Sequence, residues 1–262
     1  MRRMVFVGVA TTMLITLITP TYGSEQNRPD PTVAQLPATT LTVSAAASLT
    51  DVFPLIAQAF STRYPNITIR FNFAGSNALI EQLRAGAPVD VLATASEPTM
   101  WTAVNNGWAA RPWLFAKNSL VIATPSGNPA RIRTVQDLTR SGIQVAICAP
   151  AVPCGAAANE LFTKNDITVR PVTRELDVRA VLGKVIADQV DAGIVYATDA
   201  RSAGKSVTTV RIPAADNVTV TYPIATVRYA KHQVAAKAFV QYVRFSPSAQ
   251  RILRAWGFER AW

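Results

Sequence analysis

The sequence predicts an α/β protein with helices on both faces of its sheets. Three observations carry this. Short β-branched runs alternate with segments of helical spacing along the whole body of the chain. With 49% apolar and 16% charged residues, the 262-residue chain has ample material for a core and is too apolar to be disordered. The 12 glycines and 17 prolines follow no fixed period, which excludes a collagen-like or low-complexity chain.

The elements follow in order. Residues 41–44 read as a strand. Residues 49–64 place Leu49, Val52, Phe53, Ile56 and Phe60 at helical spacing. Residues 67–73 alternate at period two and read as a strand. Residues 78–85 form a helix stopped by Gly86 and Pro88, 89–93 a buried strand, and 99–106 a short helix ending at Gly107. Residues 119–124 are a strand closed by Pro125-Ser126-Gly127. The second half continues with a short helix over 135–139 and a strand over 144–148. Helices follow over 155–165 and 178–187, and strands over 192–196, 207–212 and 222–227. Helices over 235–245 and 248–256 end the chain.

The first residues read as a targeting segment. Arg2 and Arg3 precede an uncharged, mostly apolar stretch of 14 residues, 5–18. Pro20 breaks it, and Thr21 and Gly23 are the small residues of a cleavage after Gly23. The alternative is an uncleaved anchor, but the stretch is short for a span of about 20 residues. No cysteine follows that would take a lipid. Removing 1–23 lowers the formal charge from +10 to +8. No later segment is apolar enough to cross a bilayer, so an exported protein is expected, periplasmic or associated with the cell envelope. Residues 24–40 read as a flexible N-terminal arm.

Enzyme and nucleic-acid chemistry find little support. The basic residues are spread out and do not alternate with aromatics, so no nucleic-acid partner is expected. There is no G-x-S-x-G and no G-x-G-x-x-G. Gly204-Lys205-Ser206 resembles the end of a P-loop, but Asp199 stands where its first glycine must be. Ser202 to Lys205 matches S-x-x-K without its companion motifs. His232 is the sole histidine and reads as a surface residue. Asp188 and Asp191 read as a solvated turn. No catalytic residue, cofactor or direct metal ligand is assigned. The two cysteines, Cys148 and Cys154, flank Ala149 to Pro153. In an exported chain they are expected to form a disulfide, the alternative being two separately buried thiols.

What remains is a set of small-residue junctions before helices. Ser48 follows Ala45-Ala46-Ala47, Ser76 follows Phe73-Ala74-Gly75, Cys154-Gly155 follows Pro153, and Asp177-Val178-Arg179 opens a helix. Helix starts carry N–H groups without intrahelical partners and favour an anion. The bland reading is ordinary capping, and Ser48 to Asp51 fits S-x-x-D. Tyr196 closes a strand and is otherwise read as a core aromatic.

Taken together, these motifs resemble a known family. Ala45-Ala46-Ala47-Ser48-Leu49-Thr50 is similar to the opening motif of the molybdate-binding proteins of ABC transporters. Phe73-Ala74-Gly75-Ser76-Asn77 with Gly86-Ala87-Pro88-Val89-Asp90-Val91 resembles the second motif. Asp177-Val178-Arg179 and Gly193 to Ala200 resemble the later ones. The likeness runs from about Leu41 to the C-terminus.

The resemblance implies a type II periplasmic binding protein: two α/β domains with mixed sheets, joined by two crossover strands, with the ligand in the interdomain cleft. One domain would comprise 41–122 plus 222–262, the other 123–221. The implied function is capture of molybdate or tungstate and delivery to the membrane subunits of an ABC permease, by a monomer that is no enzyme. Sulfate or a small organic anion is the alternative ligand. The implied oxyanion donors are Ser48, Ser76, Cys154, Val178 and Tyr196, with no side chain bound directly to the metal. Cys154 stands where the family usually has Ala, a change that a backbone donor survives. The disulfide would then brace the loop presenting the Cys154 and Gly155 N–H groups.

Overall fold

A computed structural model describes residues 38–262. The expected signal segment 1–23 and most of the expected arm, 24–37, lie outside the described residues. The strands are β1 (Thr39–Ala46), β2 (Ile67–Ala74), β3 (Val91–Ala93), β4 (Trp113–Pro125), β5 (Val145–Cys148), β6 (Thr173–Glu175), β7 (Ala192–Tyr196), β8 (Val207–Arg211) and β9 (Thr219–Thr226). The α-helices are α1 (Val52–Arg63), α2 (Ser76–Arg84), α3 (Glu97–Asn105), α4 (Pro153–Lys164), α5 (Val178–Ile186), α6 (Ala197–Ala203), α7 (Gln233–Phe245) and α8 (Pro247–Ala255).

The strands pair in the order β2-β1-β3-β9-β4-β7-β5-β6, with β8 on the other edge of β4. The sheet is mixed: β1 runs parallel to β2 and β3, and β5 parallel to β6 and β7. β4 joins the two halves. Its residues Trp113 to Ser119 pair with β9, whereas Leu120 to Pro125 pair with β7 and β8. This is the mixed two-part sheet that the resemblance implied, with β4 and β9 crossing between its parts.

Strand alternation explains the layering of the first half. Val91, Ala93 and Ile224 feed a core shared with α1 and α7, while Leu92 and Ala225 feed a separate core with Leu79 and Leu83 of α2 and Met100 of α3. Helices therefore cover both faces. Phe53, Phe60, Phe115 and Phe239 are fully buried and meet edge-on or tilted in the larger core. Pro223 has no N–H to donate, and the β4 register shifts between Leu114 and Ala116 opposite it. The extra residue, Phe115, turns into the core beside Tyr222, with ring centroids 6.1 Å apart.

Some expected boundaries differ. α1 begins at Val52, because Ala47–Leu49 forms a separate 3-10 turn. Ser48 lies inside that turn and caps no helix. β4 is longer than the expected 119–124, and β6 and α6 were not expected.

Two glycines fix close approaches. A Cβ on Gly155 would lie 1.9 Å from Ala149 O, so α4 can start against the loop after β5 only with glycine there. The Cys148–Cys154 disulfide ties the same two segments. Gly183, inside α5, would meet nothing within 4 Å. Gly155→Ala is expected to cost about 1–3 kcal/mol by overpacking, whereas Gly183→Ala should stabilise by about 0.5–1 kcal/mol. Thermal melting of the two variants checks this. An unchanged melting temperature in Gly155→Ala would mean that α4 is free to move away from the loop.

Candidate functional site

The sequence places an alanine-rich turn, a glycine-serine turn and two helix starts at the ends of β1, β2, β5 and β6. The fold brings all of them to one place. Ser48, Ser76, Cys154, Val178 and Tyr196 line a single cavity, together with Gly75, Ala95, Val152, Leu176 and Asp177. All five sequence-predicted residues are buried. The cavity measures ≈ 20 Å³, a little more than the roughly 10–15 Å³ that one water requires. It is too small for a sugar or an amino acid. A larger open depression of ≈ 520 Å³ near β4 and β8 is bordered by the exposed Arg201, Arg211 and Glu259 and contains none of the five.

The backbone at each helix start leaves one donor over. In α4, Pro153 has no N–H, and the N–H groups of Gly155 and Ala156 both donate to Val152 O at 3.0 Å. The Cys154 N–H is the one left in that turn. This corrects the expectation that Gly155 would also present its N–H. In α5, Asp177 Oδ1 accepts from Arg179 N at 2.8 Å and Ala180 N at 3.0 Å. The Val178 N–H is again the one not engaged. Asp177 is the only charged residue in the cavity wall, and this cap turns its Oδ1 onto the helix.

The two serines are arranged as donors. Ala95 N–H donates to Ser76 Oγ at 3.1 Å, occupying an acceptor site and leaving the hydroxyl proton to point elsewhere. Ser48 Oγ lies 2.9 Å from Tyr222 Oη. Asn118 Nδ2 approaches Tyr222 Oη at 3.5 Å and donates to Thr198 Oγ1 at 2.8 Å. Either hydroxyl can donate in the Ser48–Tyr222 contact, and when Tyr222 donates the Ser48 proton is free for the cavity. Tyr222 and Asn118 sit on the crossover strands β9 and β4. Sequence reasoning missed both, and no local motif marks them.

Tyr196 differs from every other hydroxyl here. It is 1% exposed, and its Oη has no hydrogen-bond partner. Burial, with Tyr222 and Asp199 nearby, pushes its phenol well above the usual value. It therefore keeps its proton and can serve an anion only by donating. A buried donor left unmade costs about 1–3 kcal/mol, and the cavity beside it is where a partner would sit.

The two halves meet closely around this cavity. A Cβ on Gly75 would lie 2.3 Å from Leu176 O, and Asn77 Nδ2 donates to Ala151 O at 2.7 Å. Behind Tyr196, the carboxyl of Asp199 is fully buried. Burial raises its pKa from 3.8 to about 7, against the opposing pull of Arg179. The folded chain thus holds a proton between about pH 4 and 7 that the unfolded chain has lost, so stability falls as pH rises through that window. Melting temperatures of the ligand-free protein should drop from pH 5 to 7, and Asp199→Asn should flatten the slope. Equal slopes in both proteins would remove Asp199 as the cause.

Comparison with known proteins follows this geometry. The family model for bacterial extracellular solute-binding proteins matches residues 41–259. The molybdate-binding protein ModA of Mycobacterium tuberculosis is 38% identical over 254 residues, 97% of each chain. Among solved structures, the periplasmic molybdate-binding protein of Azotobacter vinelandii superposes with TM-score 0.74 at 19% identity, covering 83% of this chain and 98% of that one. The sulfate-binding protein SubI of M. tuberculosis gives the same TM-score at 22% identity, covering 85% and 87%. These two establish the fold. With a family match over most of its length and a relative aligned from end to end, the chain belongs to the bacterial extracellular solute-binding proteins.

Proposed function

We propose that this protein captures a tetrahedral dianion, molybdate or tungstate, and delivers it to the membrane subunits of an ABC permease. The observation that carries this reading is the Tyr196 hydroxyl, buried and unpartnered at an ion-sized cavity. Ser48, Ser76, Cys154 N–H and Val178 N–H complete the proposed donor set. A dianion offers acceptors only. Neutral donors aimed at it from fixed helix starts replace its hydration shell without a counter-charge in the wall. The metal would be held through its oxygens, with no side chain bound to it and no separate cofactor. The proposed role is binding without catalysis.

The choice of molybdate over sulfate is supported by the relative that aligns over 97% of both chains. Sulfate remains the second reading, because a sulfate-binding protein shares the fold equally well. The domain division follows the same logic: 41–122 plus 222–262 and 123–221, with β4 and β9 as the crossings. Export by the segment 1–23, action outside the cytoplasm and a monomeric state belong to the same proposal.

Calorimetric titration with molybdate, tungstate, sulfate and phosphate tests the reading. Sulfate has the same charge and shape but shorter bonds, so a rigid donor set leaves some donors stretched. Two unsatisfied donors weaken binding at least about 30-fold. Molybdate and tungstate should bind alike, and sulfate at least that much more weakly. Sulfate displacing molybdate at comparable concentrations would favour the second reading. Tyr196→Phe should weaken molybdate by about 10- to 150-fold, while the ligand-free melting temperature rises, because a buried unpaired hydroxyl is removed. Unchanged affinity would place that hydroxyl outside the site.

A further inference from the structure

The site motifs contain three charged residues that the oxyanion reading does not use. Asp51 lies three residues after Ser48, Arg179 one after Val178, and Asp199 three after Tyr196. The fold brings them together. Arg179 Nη2 donates to Asp51 Oδ2, and Arg179 Nε stands 2.9 Å from Asp199 Oδ1. The second contact has the spacing of an ion pair without the alignment of a hydrogen bond. Arg179 and Asp199 belong to α5 and α6, on the β7 side of the sheet. Asp51 belongs to the β1 side. Among the described residues, Arg179–Asp51 is the only ion pair that joins the two sides.

The two halves of the triad differ in kind. Asp199 is fully buried and stands 2.9 Å from Arg179 Nε, so it fixes the guanidinium from within one side. That contact lies within one side and need not change when the cleft opens. The Asp51 and Arg179 side chains keep 34% and 27% exposure, so water can take over this contact when the sides part. Asp51 is the residue before α1, yet its side chain makes no capping hydrogen bond. Its carboxylate is therefore dispensable to the helix and is used across the cleft.

We propose that Arg179 is a positioning residue of the site: anchored on Asp199, it latches Asp51 across the cleft and so holds the Ser48 turn against Val178 and Tyr196. Arg179 touches no ligand. The proposal rests on the oxyanion reading of the cavity and assigns how its closed form is held. A latch acts on the equilibrium between open and closed forms, so its loss raises the dissociation constant through faster release. Association, which begins from the open form, changes little.

The test uses Asp51→Asn, with Arg179→Lys as the conservative variant. Molybdate association and release are followed by stopped-flow tryptophan fluorescence, and compactness of the ligand-free protein by small-angle X-ray scattering. Asp51→Asn is expected to release molybdate about tenfold faster, with association within about twofold and an unchanged ligand-free melting temperature. Arg179→Lys should fall between wild type and Asp51→Asn, and ligand-free Asp51→Asn should show the larger radius of gyration. Release at the wild-type rate from Asp51→Asn would overturn the latch. If the wild-type protein takes up no molybdate, the functional reading fails. The scattering comparison then decides the latch alone, and equal radii of gyration would overturn it.

Discussion

A doubly charged anion leaves water only if an equally complete set of hydrogen bonds receives it. That constraint accounts for what is unusual around the cavity. In the proposed site the protein brings donors without bringing charge, and each donor has to be left unmade until the ligand arrives. Cys154 and Val178 show how this is done in the backbone. Local acceptors take the neighbouring N–H groups: Val152 O in one helix, Asp177 Oδ1 in the other. One N–H per helix start is left without a local acceptor, at a residue that lines the cavity. Ser76 shows the side-chain version, because its acceptor site is filled by Ala95 N–H. Tyr196 carries the cost openly, as a buried hydroxyl without a partner.

The rest of the fold brings these groups to one small cavity. They come from both sides of a sheet that is continuous only through β4 and β9. Close contact between the sides requires backbone without a side chain, which Gly75 supplies against Leu176 O. The crossover strands also reach the site, because Tyr222 on β9 is hydrogen-bonded to Ser48 and Asn118 on β4 approaches Tyr222. The Cys148–Cys154 bridge holds the start of α4 to the end of β5, so the Cys154 N–H is fixed to the sheet and not to a free loop.

Much of this was legible in the sequence, for physical reasons. β7 and the start of α5 could be read directly, because a buried five-residue apolar run and an Asp cap are local signals. Four of the cavity residues lie at helix starts that local signals mark, and it was the family resemblance of these motifs that joined them with Tyr196 into one set. Other features have no local signature. β4 was read only over its apolar end, since Lys117 and Asn118 interrupt the pattern and are held in the strand by pairing with β9. β6 has three residues, two of them charged, and exists through its pairing with β5. Tyr222 falls in a segment read as a strand, but nothing local shows that its hydroxyl comes within 2.9 Å of Ser48 Oγ. The triad of Asp51, Arg179 and Asp199 spans 148 positions of sequence, and only folding makes it a unit. Asp51 looked like part of a capping box, but Ser48 sits in a 3-10 turn and caps nothing.

The central claim is that one small ion sits among neutral donors from both sides of the sheet. Anomalous X-ray diffraction from crystals grown with tungstate tests it most directly, because tungsten can be located without reference to the protein phases. The account predicts a single strong peak inside the cavity, with ligand oxygens within hydrogen-bond distance of Ser48 Oγ, Ser76 Oγ, Cys154 N, Val178 N and Tyr196 Oη. A peak elsewhere, or one held by lysine or arginine side chains with Tyr196 Oη still unpartnered, would contradict it.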